Sequence, residues 1–367
     1  MVERNVNSIC ILNNTLNSGG AEKNCVIICN ELVRKGIVVE LWITRLGDTP
    51  MYKLLDHRVQ VRPIPGKRVR YTFFHLKKMM VNCKSKTLLV FNIELLVPAY
   101  IINKIFNLKI KIVARSITTL SLAYNQQGLF SEKIWFKLIR YTINKIDTLI
   151  AQSSGMKEDL IKNFNIDESK ITIIQNPVYN FINTSNKSNT YNVDSQEILF
   201  VGRLTKVKGL NYLLDIFSIV LRSLPDLHLT IVGKGELQRE FQDKIVKMGL
   251  SKSISLEGYQ TNLLPYYTRA KVTVLTSTRE GFPNVLVESI SYGTPIISFD
   301  CPSGPRDIII NNVNGILIEH LNVMEFAKAI IDVVKENIKF DKQTVIESSN
   351  RFNLEKIINQ YEKILFE

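Results

Sequence analysis

The chain has 367 residues, of which 45% are hydrophobic and 22% charged; these are the proportions of a soluble globular protein with room for two cores, and they exclude a disordered or fibrous chain. No uncharged apolar run reaches the roughly 18 residues of a spanning helix, because residues 88–106, the most apolar stretch, are broken by Asn92, Glu94, Pro98, Asn103 and Lys104. The formal net charge of +13 sits entirely in the first half, where residues 1–170 hold 26 Lys and Arg against 13 Asp and Glu while residues 171–367 hold 21 of each, so that half suits an acidic ligand, an anionic membrane surface, nucleic acid or simply water.

The opening MVERNVNSICIL lacks the layout of a signal peptide and reads as a first strand, which predicts a cytosolic protein. Residues 8–12 read as a buried strand, 13–20 as a loop, 21–35 as a helix ended by Gly36, and 38–44 as the next strand. Gly19 and Gly20 stand where the loop meets the helix. They are not the G-x-G-x-x-G fingerprint, which weakens a nicotinamide or flavin reading, but backbone without side chains can come close to a phosphate or a sugar. The five cysteines, Cys10, Cys25, Cys29, Cys83 and Cys301, are an odd number at no disulfide or zinc spacing and read as buried free thiols.

Residues 67–78, KRVRYTFFHLKK, mix six basic side chains, His75 among them, with Tyr71, Phe73, Phe74 and Leu76. The mixture fits a surface lying on an anionic leaflet, and equally a helix with aromatics toward a core and lysines toward water. Strands over 87–91 and 110–114 flank an apolar helix, and Arg115-Ser116-Ile117-Thr118 follows the second. An amphipathic helix over 131–145, a strand over 147–151, a helix capped by Ser153 or Ser154 and a strand over 171–174 complete a first domain closed by Asn176-Pro177. Residues 180–195, rich in Asn, Ser and Thr, read as a linker.

A second domain opens with a strand over 198–201 and the loop Gly202-Arg203-Leu204-Thr205-Lys206-Val207-Lys208-Gly209. Strand, glycine-bearing loop and helix make a phosphate cradle, here with fixed cations: Arg203 can chelate two oxygens and Lys208 is a point charge. A strand over 229–232 leads into Gly233-Lys234-Gly235-Glu236, and one over 253–256 into Gly258-Tyr259-Gln260. In residues 275–298, Glu280 and Glu288 stand eight positions apart around Gly281, Phe282 and Pro283. Pro283 fits a first helical turn and Gly293 with Pro295 a stop, which predicts a helix over 283–292. The N–H groups of Asn284, Val285 and Leu286 at its tip would seat a phosphate, with one carboxylate near each end of the ligand. A nucleotide sugar has that shape. Further on come Cys301-Pro302-Ser303-Gly304-Pro305, an amphipathic stretch over 321–335 and a final helix over 354–366.

Glu280-x7-Glu288 enclosing Gly-Phe-Pro, Gly-Arg-Leu-x4-Lys-Gly at 202–209 and Ser-Gly-Gly-Ala-Glu at 18–22 resemble the motifs of the retaining glycosyltransferases of family 4, in order along nearly the whole chain. The resemblance implies the α/β GT-B fold: two facing Rossmann-like domains, an interdomain cleft and a C-terminal crossover helix. The expected boundaries are 1–178 for the acceptor domain, 179–196 for the linker, 197–350 for the nucleotide-sugar domain and 351–367 for the returning helix. It further implies that Arg203 and Lys208 hold the donor diphosphate and that Gly19 and Gly20 face the donor. Lys234 and Tyr259 then lie by the nucleobase, and Glu288 at the ribose. Glu280, with Gly281, Phe282 and the amides of Asn284, Val285 and Leu286, orients the sugar. Glu280, Arg203 and Lys208 are thus the expected catalytic set.

Many family members carry a histidine where this chain has Arg115-Ser116. Arg115, with Lys67, Arg68, Arg70 and Tyr71, is therefore expected at the acceptor or the membrane. No Asp-x-Asp occurs, so no metal and no other cofactor are expected. The Cys-Pro-Ser-Gly-Pro pattern resembles bacterial surface-polysaccharide galactosyl- and N-acetylgalactosaminyl-type transferases. The implied activity moves a hexose or N-acetylhexosamine from a UDP-sugar, with retention, to a polyprenyl-pyrophosphate-linked glycan in capsule or O-antigen synthesis. Its place is the cytoplasmic face of the inner membrane, peripherally attached. Two other classes compete. An inactive nucleotide-sugar-binding subunit is disfavoured by the presence of both Glu280 and Lys208, and a nucleic-acid-binding protein by the lack of any recognised motif beside the basic half.

Overall fold

The computed structural model describes residues 5–17, 19–45, 49–65, 69–124, 130–178 and 196–367. Lys67, Arg68 and almost all of the expected linker lie outside these residues. Arg70 and Tyr71 belong to the helix Val69–Val81, but their side chains also lie outside the description. The chain divides into two compact units, one running to Pro177 and taking in Leu354–Glu367, the other Val178–Asn353. The boundaries therefore fall at 177/178 and 353/354. The second unit claims Val178 because its N–H donates to the carbonyl of Phe352 at 2.8 Å.

In the first unit, β1 (Asn5–Thr15), β2 (Val38–Arg45), β3 (Gln60–Pro63), β4 (Ser85–Val90), β5 (Lys111–Arg115), β6 (Thr148–Ala151) and β7 (Ile171–Ile173) form one parallel sheet in the order β3-β2-β1-β4-β5-β6-β7. A parallel sheet is covered on both faces, and β1 shows how the sequence serves both: Ile9 and Ile11 enter one apolar cluster, Cys10 and Leu12 the other. The helix Leu354–Phe366 places Ile357, Ile358, Tyr361 and Leu365 in the first of these. Thr87 Oγ1 donates to the Leu365 carbonyl at 2.8 Å and Lys111 Nζ to that of Ile364 at 2.7 Å. The expected return of the last helix to the first domain is borne out.

The helix Val69–Val81 divides between its two readings. Thr72, Leu76 and Met80 are buried and Phe73 packs against the core, whereas Phe74 is 69% exposed with His75 and Lys78 beside it in solvent. Among the described residues no helix is long and apolar enough to cross a membrane. All five cysteines are buried free thiols. Cys10 and Cys83 lie 3.1 Å apart, sulfur to sulfur, and their hydrogen bond together with burial holds the Cys10 thiol far above its usual range. A thiol-reactive chromogenic disulfide at pH 8 is accordingly expected to titrate essentially no cysteine in the native protein and all five after denaturation. A thiol that reacts fast in the native state would contradict this packing.

In the second unit, β8 (Glu197–Val201), β9 (His228–Val232), β10 (Ile254–Gly258), β11 (Val272–Leu275), β12 (Ile296–Phe299) and β13 (Gly315–Ile318) form a parallel sheet in the order β10-β9-β8-β11-β12-β13. Every residue of β11 and β12 is buried, as the short continuous apolar runs require. Helices Leu210–Leu221 and Val323–Val334 pack in one cluster, and Asn284–Ser291, with Val345 and Phe352, in another. Chain order reverses between β8 and β11. In an open parallel sheet this is where the following loops part and leave a crevice.

Candidate functional site

The loops that leave β8 and β11 flank that crevice, and each carries charged side chains to it. After β8, Leu204 donates its N–H to Lys234 (3.1 Å), Thr205 to Arg203 (2.8 Å) and Lys208 to Thr205 (3.0 Å), each to the backbone carbonyl. Gly202 and Gly209 are engaged likewise. The loop thus has five of its amides already engaged. It presents side chains, those of Arg203 and Lys208.

The β11 loop locks the Lys208 segment in place. Thr276 Oγ1 donates to the Lys208 carbonyl at 3.0 Å, and the Thr278 N–H to the Val207 carbonyl at 2.9 Å. Gly209 has φ +63, and a Cβ there would stand 2.0 Å from the Thr276 carbonyl oxygen, so only glycine allows the two backbones to meet. The outcome is an ion pair between Lys208 Nζ and Glu280 Oε1 at 2.6 Å, with side chains only 17% and 13% exposed. Arg203, in contrast, is exposed and makes no ion pair among the described residues.

Glu280 is fixed from the other side by the loop after β12. Ser303 Oγ donates to the Gly281 carbonyl at 3.0 Å, and Gly304, at φ +93, sits so close that a Cβ would stand 2.6 Å from Pro283 Cδ. Cys301, buried in the same loop, has its thiol pushed well up by burial and then by Glu280, with Lys208 opposing. Phe282 is only 7% exposed and meets Phe352 edge to face at 5.8 Å. Its side chain anchors the segment in the core.

The helix spans Asn284–Ser291, with Pro283 as its N-cap and not its first residue. The Leu286 N–H donates to the Pro283 carbonyl at 3.0 Å, so Leu286 drops out of the expected set of open donors. Glu288 lies on this helix beside Tyr267, whose hydroxyl is 3.2 Å from Oε2 of Glu288 and 3.2 Å from the Val285 carbonyl oxygen. Tyr292 stacks on Tyr267, and burial plus Glu288 push its phenol up to about 12. Burial and the same carboxylate hold Tyr267 well above the ordinary range, so both phenols keep their protons. At the ends of β9 and β10, Lys234 and Tyr259 are exposed, and Lys234 Cε is 3.1 Å from where a Cβ of Gly258 would stand. These two neighbouring turns thus lie side by side.

Among the first unit's expected residues, Gly19 and Gly20 stand at the same kind of reversal, between β1 and β4, where the Asn14 N–H donates to Asn92 Oδ1 at 2.8 Å. A Cβ at Gly19 would lie 2.3 Å from Glu22 Oε2, so this helix tip already carries a carboxylate. Arg115 is not a surface contact. It is fully buried, its Nη2 donates to Asn176 Oδ1, and its guanidinium lies over the Phe91 ring at 5.0 Å from the centroid. A strand interior fills inward even when its last residue is charged, and this guanidinium works as part of the core.

Sequence reasoning missed Thr276, Thr278 and Tyr267. Thr and Tyr are common in strands and loops, and only the fold reveals which backbone carbonyl or carboxylate they reach.

Two family models divide the chain: "Glycosyltransferase Family 4" matches residues 18–179 and "Glycosyl transferases group 1" residues 181–352. An uncharacterized glycosyltransferase of Haemophilus influenzae is 26% identical over 357 residues, covering 95% of this chain and 96% of its own. The N-acetylgalactosamine-N,N'-diacetylbacillosaminyl-diphospho-undecaprenol 4-alpha-N-acetylgalactosaminyltransferase of Campylobacter jejuni is 28% identical over 83% of this chain and 84% of its own. Among solved structures, Anabaena HepE in complex with UDP-glucose superposes with a TM-score of 0.80 at 19% identity, over 98% of this chain and 99% of that one.

Proposed function

The chain belongs to the group 1, family 4 glycosyltransferases, and from that premise we propose that it transfers a hexose or N-acetylhexosamine from a UDP-sugar, with retention, to a polyprenyl-pyrophosphate-linked glycan of a bacterial surface polysaccharide. The observation that carries the reading is the Lys208–Glu280 pair at the sheet's reversal, with Glu288 on the adjoining helix. The Campylobacter relative, a diphospho-undecaprenol N-acetylgalactosaminyltransferase, and the UDP-glucose complex of HepE support the choice of partners.

In this proposal the bond from the anomeric carbon to the diphosphate breaks, and charge grows on the leaving oxygen. Lys208 and Arg203 stabilise that charge, in place of a divalent metal. The acceptor hydroxyl attacks from the same face and passes its proton to the departing phosphate, which preserves the anomeric configuration. Glu280 orients the sugar hydroxyls and Glu288 holds those of the ribose. The basic first half, with the exposed Phe74 and Lys78, docks the protein peripherally on the anionic cytoplasmic leaflet that bears the acceptor.

The test is a panel of nucleotide sugars, in chelator, with and without a polyprenyl-pyrophosphate-linked saccharide. Acceptor-dependent release of UDP is expected, and release of another nucleotide, or none without added metal, would refute the corresponding element. Binding to vesicles containing anionic lipid is expected to weaken steeply between low and high salt. Salt-insensitive binding would remove the electrostatic docking.

A further inference from the structure

In the structure Lys208 and Glu280 neutralise each other at 2.6 Å, and this pairing is built into the backbone. The Thr276 and Thr278 contacts fix the lysine's segment, and the Ser303 contact fixes the glutamate's. A diphosphate that binds Lys208 therefore competes with Glu280 for its ammonium. We infer that Glu280 is an internal competitor of the donor's diphosphate, so that the site exchanges one ion pair for another when substrate enters and reverses the exchange when product leaves. The inference rests on the donor reading given above and adds to it a reason for preferring the intact nucleotide sugar over the spent nucleotide.

The reasoning is one of charge and solvation. Both side chains are more than four-fifths buried, so neither is well hydrated when alone, and a carboxylate left without its cation here is costly. An arriving nucleotide sugar brings hydroxyl groups that can donate to the displaced carboxylate, and thereby restores its hydrogen bonds. UDP brings phosphates and ribose but no hexose. It draws Lys208 away without offering the carboxylate any hexose hydroxyl, so the Lys208–Glu280 pair re-forms the more readily and UDP leaves. Exposed Arg203 makes no ion pair among the described residues, and it can receive the incoming phosphates before Lys208 changes partner. Loss of the negative charge at 280 should therefore have opposite effects on two observables: turnover falls, while the bare nucleotide binds more tightly.

The experiment is calorimetric titration of UDP, UDP-N-acetylgalactosamine and inorganic pyrophosphate into wild-type protein and the variants Glu280→Gln, Glu280→Ala, Lys208→Met and the double variant Lys208→Met/Glu280→Gln, each first checked for a native unfolding transition. Glu280→Gln is expected to bind UDP and pyrophosphate about tenfold more tightly than wild type, the scale of one charge-assisted hydrogen bond. Its gain for UDP-N-acetylgalactosamine should be smaller. The glutamine's effect should vanish in the Lys208→Met background. Glu280→Ala, which cannot hold the lysine by any polar atom, should move UDP affinity in the same direction. Wild type that binds UDP, with neither Glu280 variant binding it more tightly, overturns the exchange and leaves the donor reading intact. No binding of UDP or pyrophosphate by wild type and all variants overturns both.

Discussion

Lys208→Ala is expected to lower kcat by about 100- to 1000-fold, the effect of deleting one preorganised charge that faces developing negative charge in a site shielded from water. Lys208 is the cation the fold immobilises, with its segment hydrogen-bonded to Thr276 and Thr278, while Arg203 stands exposed and unpaired among the described residues. Arg203→Ala should therefore cost less in kcat and more in donor KM. Lys208→Arg keeps the charge but not the length, and should recover only part of the rate because the pair to Glu280 is a single short contact. Steady-state kinetics on variants with unchanged circular dichroism decide the matter. A Lys208→Ala enzyme within threefold of wild type would remove Lys208 from the chemistry.

Arg115→Ala should lower stability by on the order of 3 kcal/mol, since it empties the space of a large buried side chain and leaves Asn176 without its donor. The unfolding midpoint should fall by roughly 6–12 °C for a unit of this size. Asn176 also donates to Gln152 Oε1 at 2.9 Å, so the loss spreads along a buried polar chain. At a temperature where the variant remains folded, its KM for acceptor should equal that of wild type. A raised acceptor KM with an unchanged midpoint would restore Arg115 to the surface role that its motif suggested.

The alternation of strand and helix and the two-unit plan were legible because short apolar runs bounded by glycine and proline can be satisfied only in a parallel sheet covered on both faces. Lys208 and Glu280, singled out by separate motifs, come together because loops after neighbouring strands at a reversal converge. Arg115 misled because a charged residue at a strand end normally faces water, and nothing local announces an Asn176 and a Phe91 waiting in the core. Leu286 misled for a different reason. Pro283 at the N-cap tightens the first turn, so an amide counted as open is used within the helix itself. The locking residues Thr276, Thr278 and Tyr267 answer to partners distant in sequence, and periodicity does not report such pairs.

The helix Leu354–Phe366 is made after the whole second unit has been translated, yet its Ile357, Ile358, Tyr361 and Leu365 belong to the core of the first. During synthesis the first unit's sheet thus waits with one of its two apolar clusters incomplete, while the second unit can complete itself. Of the two units, the one translated first is the later to mature, and that interval is when the nascent chain has most need of a chaperone.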